Sequence, residues 1–241
     1  MKRLFIFLTW AALLVFFGVM FSIPGLLHGQ AYQESPRSRS GHQVRLIYFC
    51  NRTTYIPFTN EKYMSDVQLQ GIVDALQIQI DRDFSRVWHT TAHLVVSETP
   101  QPPAGEWNLV IGPYDPSNPN DVLVANVPYL AGYHTLGPDG VPTAKIFIHM
   151  AYDLGRIISH ETLEMLIDPY VTRRSPDSKS FLEICDPVQA FGYPINGINM
   201  SDFTYPKWWM VGSEGPWDYM QLTSGPMDIL DGGHIYYGPQ N

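Results

Sequence analysis

The stretch GRIISHETLEMLIDPY, Gly155 to Tyr170, decides how this chain is read. It has the aliphatic density of a core helix, yet it holds His160, Glu161, Glu164 and Asp168. At about 100° per residue from His160, Glu164 falls at roughly 40°, Asp168 at roughly 80° and Glu161 at roughly 100°. Ile158, Leu163, Met165, Leu166 and Ile167 fill the rest of the circle. A surface helix shows a broad solvated face with charges of both signs. Here one narrow arc is acidic, and no Lys or Arg follows Arg156 until Arg173. Carboxylates stacked toward the C-terminal end oppose the negative pole of the helix dipole, and like charges one turn apart repel. A bound cation would remove both costs.

Within this helix HETLE resembles the metalloprotease pattern H-E-x-x-H with glutamate in place of the second histidine. In the parent pattern the two outer residues hold zinc one turn apart and the intervening Glu activates water. His160 and Glu164 keep that spacing and both are zinc-ligand types; Glu161 keeps the general-base position. A third ligand is needed, and FLEICDPV downstream supplies Glu183, the preferred one, or Asp186. Asp186-Pro187 also reads as a turn initiator. Asp168 either orients a ligand from outside the coordination sphere or caps a local turn. An oxygen-only set of Glu164, Asp168, Glu183 and Asp186 would instead suit calcium.

The other histidines read more weakly. His89 and His93, placed on a strand, would stand roughly 13 Å apart. His134 and His149 read as packed or solvated side chains, and His234 as one that could face the site. DPSNPND lacks the Gly and terminal Glu of a calcium loop and is expected to be a plain loop. Trp208, Trp209 and Trp217 are expected in the core rather than on a sugar-binding surface.

The chain has 241 residues, a net charge of -8 and no basic cluster beyond Arg173-Arg174, which argues against nucleic acid. Lys2 and Arg3 precede the apolar run LFIFLTWAALLVFFGVMFSI, the pattern of an export signal. The run also reaches the length that spans a bilayer, so residues 1–30 are either a cleaved signal peptide or a signal anchor. Both place the rest outside the cytoplasm, with membrane contact only through this segment. Residues 31–42 read as a polar linker and 43–241 as one domain. Cys50 and Cys185 could be bridged in that compartment.

Along the domain, VRLIYFCN reads as a first strand and SDVQLQGIVDALQIQIDRDFSRVW as a long amphipathic helix starting at Ser65-Asp66, with Val67, Ile72, Leu76 and Ile80 apolar. HTTAHLVVSE, EWNLVIG and AKIFIHMAY read as strands, DVLVANV as short and extended, Gly132 to Pro142 as turns, and GPMDILDGGHIYYG as a final hairpin. Strands and helices followed by irregular structure give an α+β class.

GYHTLGPDGVPTAKIFI, SHETLEMLIDP, EICDP, INMSDFTYP and PMDILDGGHIYY occur here in that order. As a set, over roughly residues 130–238, they resemble an uncharacterised, zincin-like family of bacterial and phage-associated proteins with S-H-E-x-L-E-x-x-x-D-P and E-x-C-D-P motifs. The resemblance implies a zincin-like fold and carries over His160, Glu161, Glu164, Glu183 and Asp186. The expectation is an exported zinc metallohydrolase, peptidase-like, acting on a peptide or protein laid along an edge strand near Ala144 to His149. Metal would be held by His160 and Glu164 with Glu183 or Asp186, and Glu161 would be the base. The alternative is a non-catalytic extracytoplasmic binding domain stabilised by zinc or calcium; a metal-free interaction protein would need Arg173 or Arg174 to neutralise the acidic arc.

Overall fold

The computed structural model describes residues 42–48, 65–97, 106–124, 130–137, 140–148, 153–177 and 179–237. They all belong to one compact unit, Ser38–Asn241. The N-terminal segment, most of the linker, Cys50 and His149 lie outside them. Among the described residues no helix is long and apolar enough to cross a membrane.

The architecture is mixed α+β. Strand β1 (His42–Tyr48) is followed by helix α1 (Asp66–Ile78), which continues through a π-helical turn, Gln79–Phe84, into α2 (Ser85–Trp88). Then come β2 (Ala92–Ser97), β3 (Trp107–Gly112), α3 (Pro119–Val124), β4 (Gly132–Leu136), β5 (Pro142–Phe147) and α4 (Leu154–Ile167). The strands form one sheet in the order β2-β1-β3-β5-β4. All neighbours are parallel except β4, which runs antiparallel to β5. Central β3 is apolar and buried along most of its length, as a strand covered on both faces should be.

Helix α1 starts where a capping box fixes it: Ser65 Oγ accepts from Gln68 N at 3.2 Å, and Gln68 Oε1 accepts from Ser65 N at 2.8 Å. Leu69, Ile72, Val73 and Leu76 make its buried face, continued by Ile80. Val67, expected on that face, is 82% exposed. The π turn sets Gln79 into the interior. Its amide donates to Ser201 O at 2.8 Å and Tyr193 Oη at 3.0 Å and accepts from Ser159 Oγ at 2.6 Å. One side chain thereby joins the first helix to α4 and to the strands beyond it. Gly155 lets α4 lie directly on that region, since a Cβ there would meet Ile198 Cγ2 at 2.5 Å and Asn199 O at 2.8 Å.

After α4 come the hairpin β6 (Gly192–Ile195) and β7 (Ile198–Ser201), turned by Asn196 and Gly197, both at positive φ, and two short 3-10 turns. Trp208 and Trp209 are buried, and their indole N–H groups donate to Asp228 O and Thr204 Oγ1. Carboxylates replace ladder bonds in this part. Asp168 accepts from Thr172 N and Arg173 N, Asp218 from Leu222 N and Thr223 N, and Asp228 from Ser224 N.

Several expectations need correction. DVLVANV is not extended: Val122, Leu123 and Val124 lie in α3, which Pro119 opens. Gly132 to Leu136 is a strand, so β5 is flanked on both sides and the sheet edge is β4, not Ala144 to His149. His89 is a left-handed helix cap rather than a strand residue. The described residues from Gly225 to Tyr237 form no hairpin; they are tied back by Leu230 N to Pro187 O, His234 N to Asp186 O and Phe181 N to Tyr236 O. Among the described residues Cys185 is a free, buried thiol; its candidate partner Cys50 lies outside them.

Candidate metal centre

A cavity of about 700 Å³ opens between α4, β4 and the C-terminal segment, lined among others by His134, His160, Glu161, Glu164, Glu183, Asp186 and His234. The five residues carried over by the resemblance, His160, Glu161, Glu164, Glu183 and Asp186, therefore line one cavity. The i, i+4 spacing on α4 sets His160 Nε2 3.1 Å from Glu164 Oε2. The 3-10 turn opened by Asp186-Pro187 brings Asp186 Oδ1 to 3.2 Å from the same ring nitrogen. Two donors about 2.0–2.1 Å from one tetrahedral ion lie about 3.3 Å apart, so each carboxylate oxygen stands at ligand-like spacing from the His160 nitrogen.

Glu164 is held by the same turn. Its Oε1 accepts from Cys185 N at 3.0 Å and Asp186 N at 3.2 Å, leaving Oε2 for the cavity. Glu183 points elsewhere, toward His134, with Oε2 3.7 Å from Nε2. The other His134 nitrogen, Nδ1, faces Glu161 Oε2 at 3.8 Å and Glu164 Oε2 at 4.0 Å. His134 Nε2 and Glu183 Oε2 are buried without a hydrogen-bond partner, an arrangement that costs free energy unless something else lies between them. Asp186 Oδ2 meets His234 Nε2 at 3.1 Å.

The electrostatics follow from crowding. Burial opposes charge on the His160 ring, yet the Glu164 and Asp186 carboxylates outweigh it and hold the imidazole well above its ordinary value. The same opposition, with Glu161, Glu183 and Glu164 on the winning side, lifts His134 to about 9. Burial and then the Glu164 charge push Glu183 up to about 9, and burial raises Glu164 against the pull of His160. Burial would raise Asp186 too, but hydrogen bonds from His160 and His234 bring it down to about 2. The cavity carries its acids only in the company of positive charge.

Asp168 is not part of the site. The helix ends at Ile167, and the Asp168 carboxylate is engaged by the Thr172 and Arg173 amides, so the four-carboxylate calcium set is not assembled. Arg173 donates to Ile167 O and Arg174 lies over the Phe181 ring at 3.7 Å; neither neutralises the arc. Conversely, His134, read as packed or solvated, lines the site, as does His234, read as one that could face it. The signal for His134 lay in GYHTL, a β-branched and aromatic run ahead of the LGPDG turn.

No protein-family profile, curated protein or solved structure matches this chain.

Proposed function

We propose that the chain is an exported zinc-dependent hydrolase that cleaves extended peptide, with His160, Glu164 and Asp186 holding the ion and Glu161 as general base. The observation that carries this reading is the convergence of Glu164 Oε2 and Asp186 Oδ1 on His160 Nε2, at 3.1 and 3.2 Å, inside an accessible cavity. Asp186 is preferred over Glu183 as third ligand because Glu183 faces His134 instead. A Zn²⁺ ion there supplies Lewis acidity and lowers the pKa of water, less strongly with two carboxylate donors than with neutral histidines. Glu161, one residue from His160, presents its carboxylate to the same cavity, where it can take a proton.

The sheet supports the zincin-like architecture and a peptide substrate. Ala131 O accepts from Phe147 N, and Gly137 N donates to Val141 O. By antiparallel alternation Tyr133 and Thr135 also bond β5, while the backbone groups of Gly132 and His134 point away from it and Leu136 O accepts from Asn120 Nδ2 at 3.3 Å. An extended peptide could add there as a further strand, next to the side chains of the site.

The test uses full chain purified without chelator. Wild type should carry zinc; His160→Ala and Glu164→Ala should lose it; Glu161→Gln should keep it and lose hydrolysis of a peptide library. Intact activity in Glu161→Gln would overturn the mechanism. Zinc without hydrolysis in wild type would favour the metal-stabilised binding domain.

A further inference from the structure

We propose that the same cavity holds a second divalent cation, on His134 and Glu183, which shares Glu164 with the first. This rests on the metal reading above and extends it from one ion to two. Among the described residues two sets of ligand-type atoms lie within 4.8 Å of one another, His160 with Glu164 and Cys185, and His134 with Glu164 and Glu183; Asp186 approaches the first through His160 Nε2 at 3.2 Å. Glu164 belongs to both. Its Oε1 is fixed by two backbone amides, so Oε2 is the atom left to the cavity, 3.1 Å from His160 Nε2.

The second position has its own mark. His134 Nε2 and Glu183 Oε2 face each other across 3.7 Å, too far for a hydrogen bond, and each is buried without a hydrogen-bond partner. The side chains are 5% and 12% exposed. Two donors that flank one ion at about 2.0–2.2 Å each can stand up to about 4 Å apart, so a cation between them satisfies both. His134 then has its other nitrogen, Nδ1, toward Glu161 Oε2 at 3.8 Å, and a carboxylate behind a ligating imidazole is the usual means of fixing its tautomer.

Charge points the same way. Glu161, Glu164, Glu183 and Asp186 line one cavity; ionised, they balance two dications, whereas one leaves an excess of negative charge in a buried place. Imidazole and carboxylate donors suit Zn²⁺, Mn²⁺ or Co²⁺, and paired ions in such sites lie about 3.5–4 Å apart.

The experiment is metal stoichiometry and spin coupling on the full chain, stripped and reloaded with Mn²⁺ alone. Wild type should bind two equivalents and give an exchange-coupled electron paramagnetic resonance spectrum. His134→Ala and Glu183→Gln should each bind one and give an isolated-ion spectrum. One equivalent in wild type, or two without coupling, overturns the shared pair and leaves the single-ion reading standing. No bound ion at all overturns both. Should His134→Ala fail to fold, the wild-type titration and spectrum decide alone.

Discussion

Gly132 in β4 lies against Glu161 in α4 so closely that a methyl on its α-carbon would sit 2.9 Å from both Cγ and Oε1 of the glutamate. The edge strand and the candidate base are thus packed without room for a side chain. Lys145 O, at 3.0 Å from the same point, closes off the other escape. Gly132→Ala should force Glu161 or β4 to move, at an overpacking cost of about 1–3 kcal/mol. Peptide hydrolysis should fall by more than the loss of folded protein explains, while the ion on His160 is retained. Unchanged activity and melting temperature would show that this contact does not position Glu161.

Metal removal should be visible as stability. A ligand at 100 times its Kd stabilises the folded state by about 2.7 kcal/mol. Chelation of wild type should therefore lower the melting temperature, and added Zn²⁺ should restore it. In His160→Ala both shifts should shrink to what an ion on His134 and Glu183 alone supplies.

Outside the cavity, Asp202 and Asp218 form a buried acid pair. Asp202 Oδ1 accepts from Phe203 N and Met220 N, while Oδ2 is buried with no hydrogen-bond partner. Burial, and after it the Asp218 charge, raises Asp202 from 3.8 to about 8. The folded state then binds the extra proton between these values, so this pair's contribution to stability is full below pH 3.8 and is lost as the pH rises through about 8. Asp202→Asn should remove that slope: denaturant midpoints compared at pH 5 and pH 9 should converge in the variant relative to wild type. Equal slopes in the two proteins would exclude a shared proton.

Cys185 is fully buried beside the His160 carbonyl, and burial pushes its thiol well above the ordinary range. A maleimide should leave it unlabelled in native protein and label it in denaturant, as peptide mapping would show. Native labelling at Cys185 would mean that the turn holding Glu164 opens readily.

The helix with His160 was legible because its polar arc has helical spacing, and Glu183 and Asp186 because acids in EICDP had few structural uses. Asp168 shares the arc on a wheel, but the wheel assumes the helix continues; at φ -126° and ψ 67° the residue has already left it. His134 was not legible as a neighbour of Glu161, because that contact arises from an antiparallel edge strand folding back over α4, and Gly132 with the following turn residues masked the strand. In DVLVANV the β-branched residues outvoted the helix-opening Asn118-Pro119. The Asn196-Gly197 hairpin, by contrast, carries its signature openly, two residues between paired Ile195 and Ile198.

The C-terminal third is knitted by acids instead of strands: Asp168, Asp218 and Asp228 each hold amides that a sheet would otherwise have claimed. Such a fabric has a solvent sensitivity that a ladder lacks. Protonation strips a carboxylate of its strength as an acceptor, whereas amide-to-carbonyl bonds ignore pH. In strong acid this region should therefore loosen while the five-stranded sheet keeps its amides shielded from exchange. The surroundings of Glu183, Asp186 and His234 would be dismantled first, and a molecule with an intact sheet would have lost its grip on any ion.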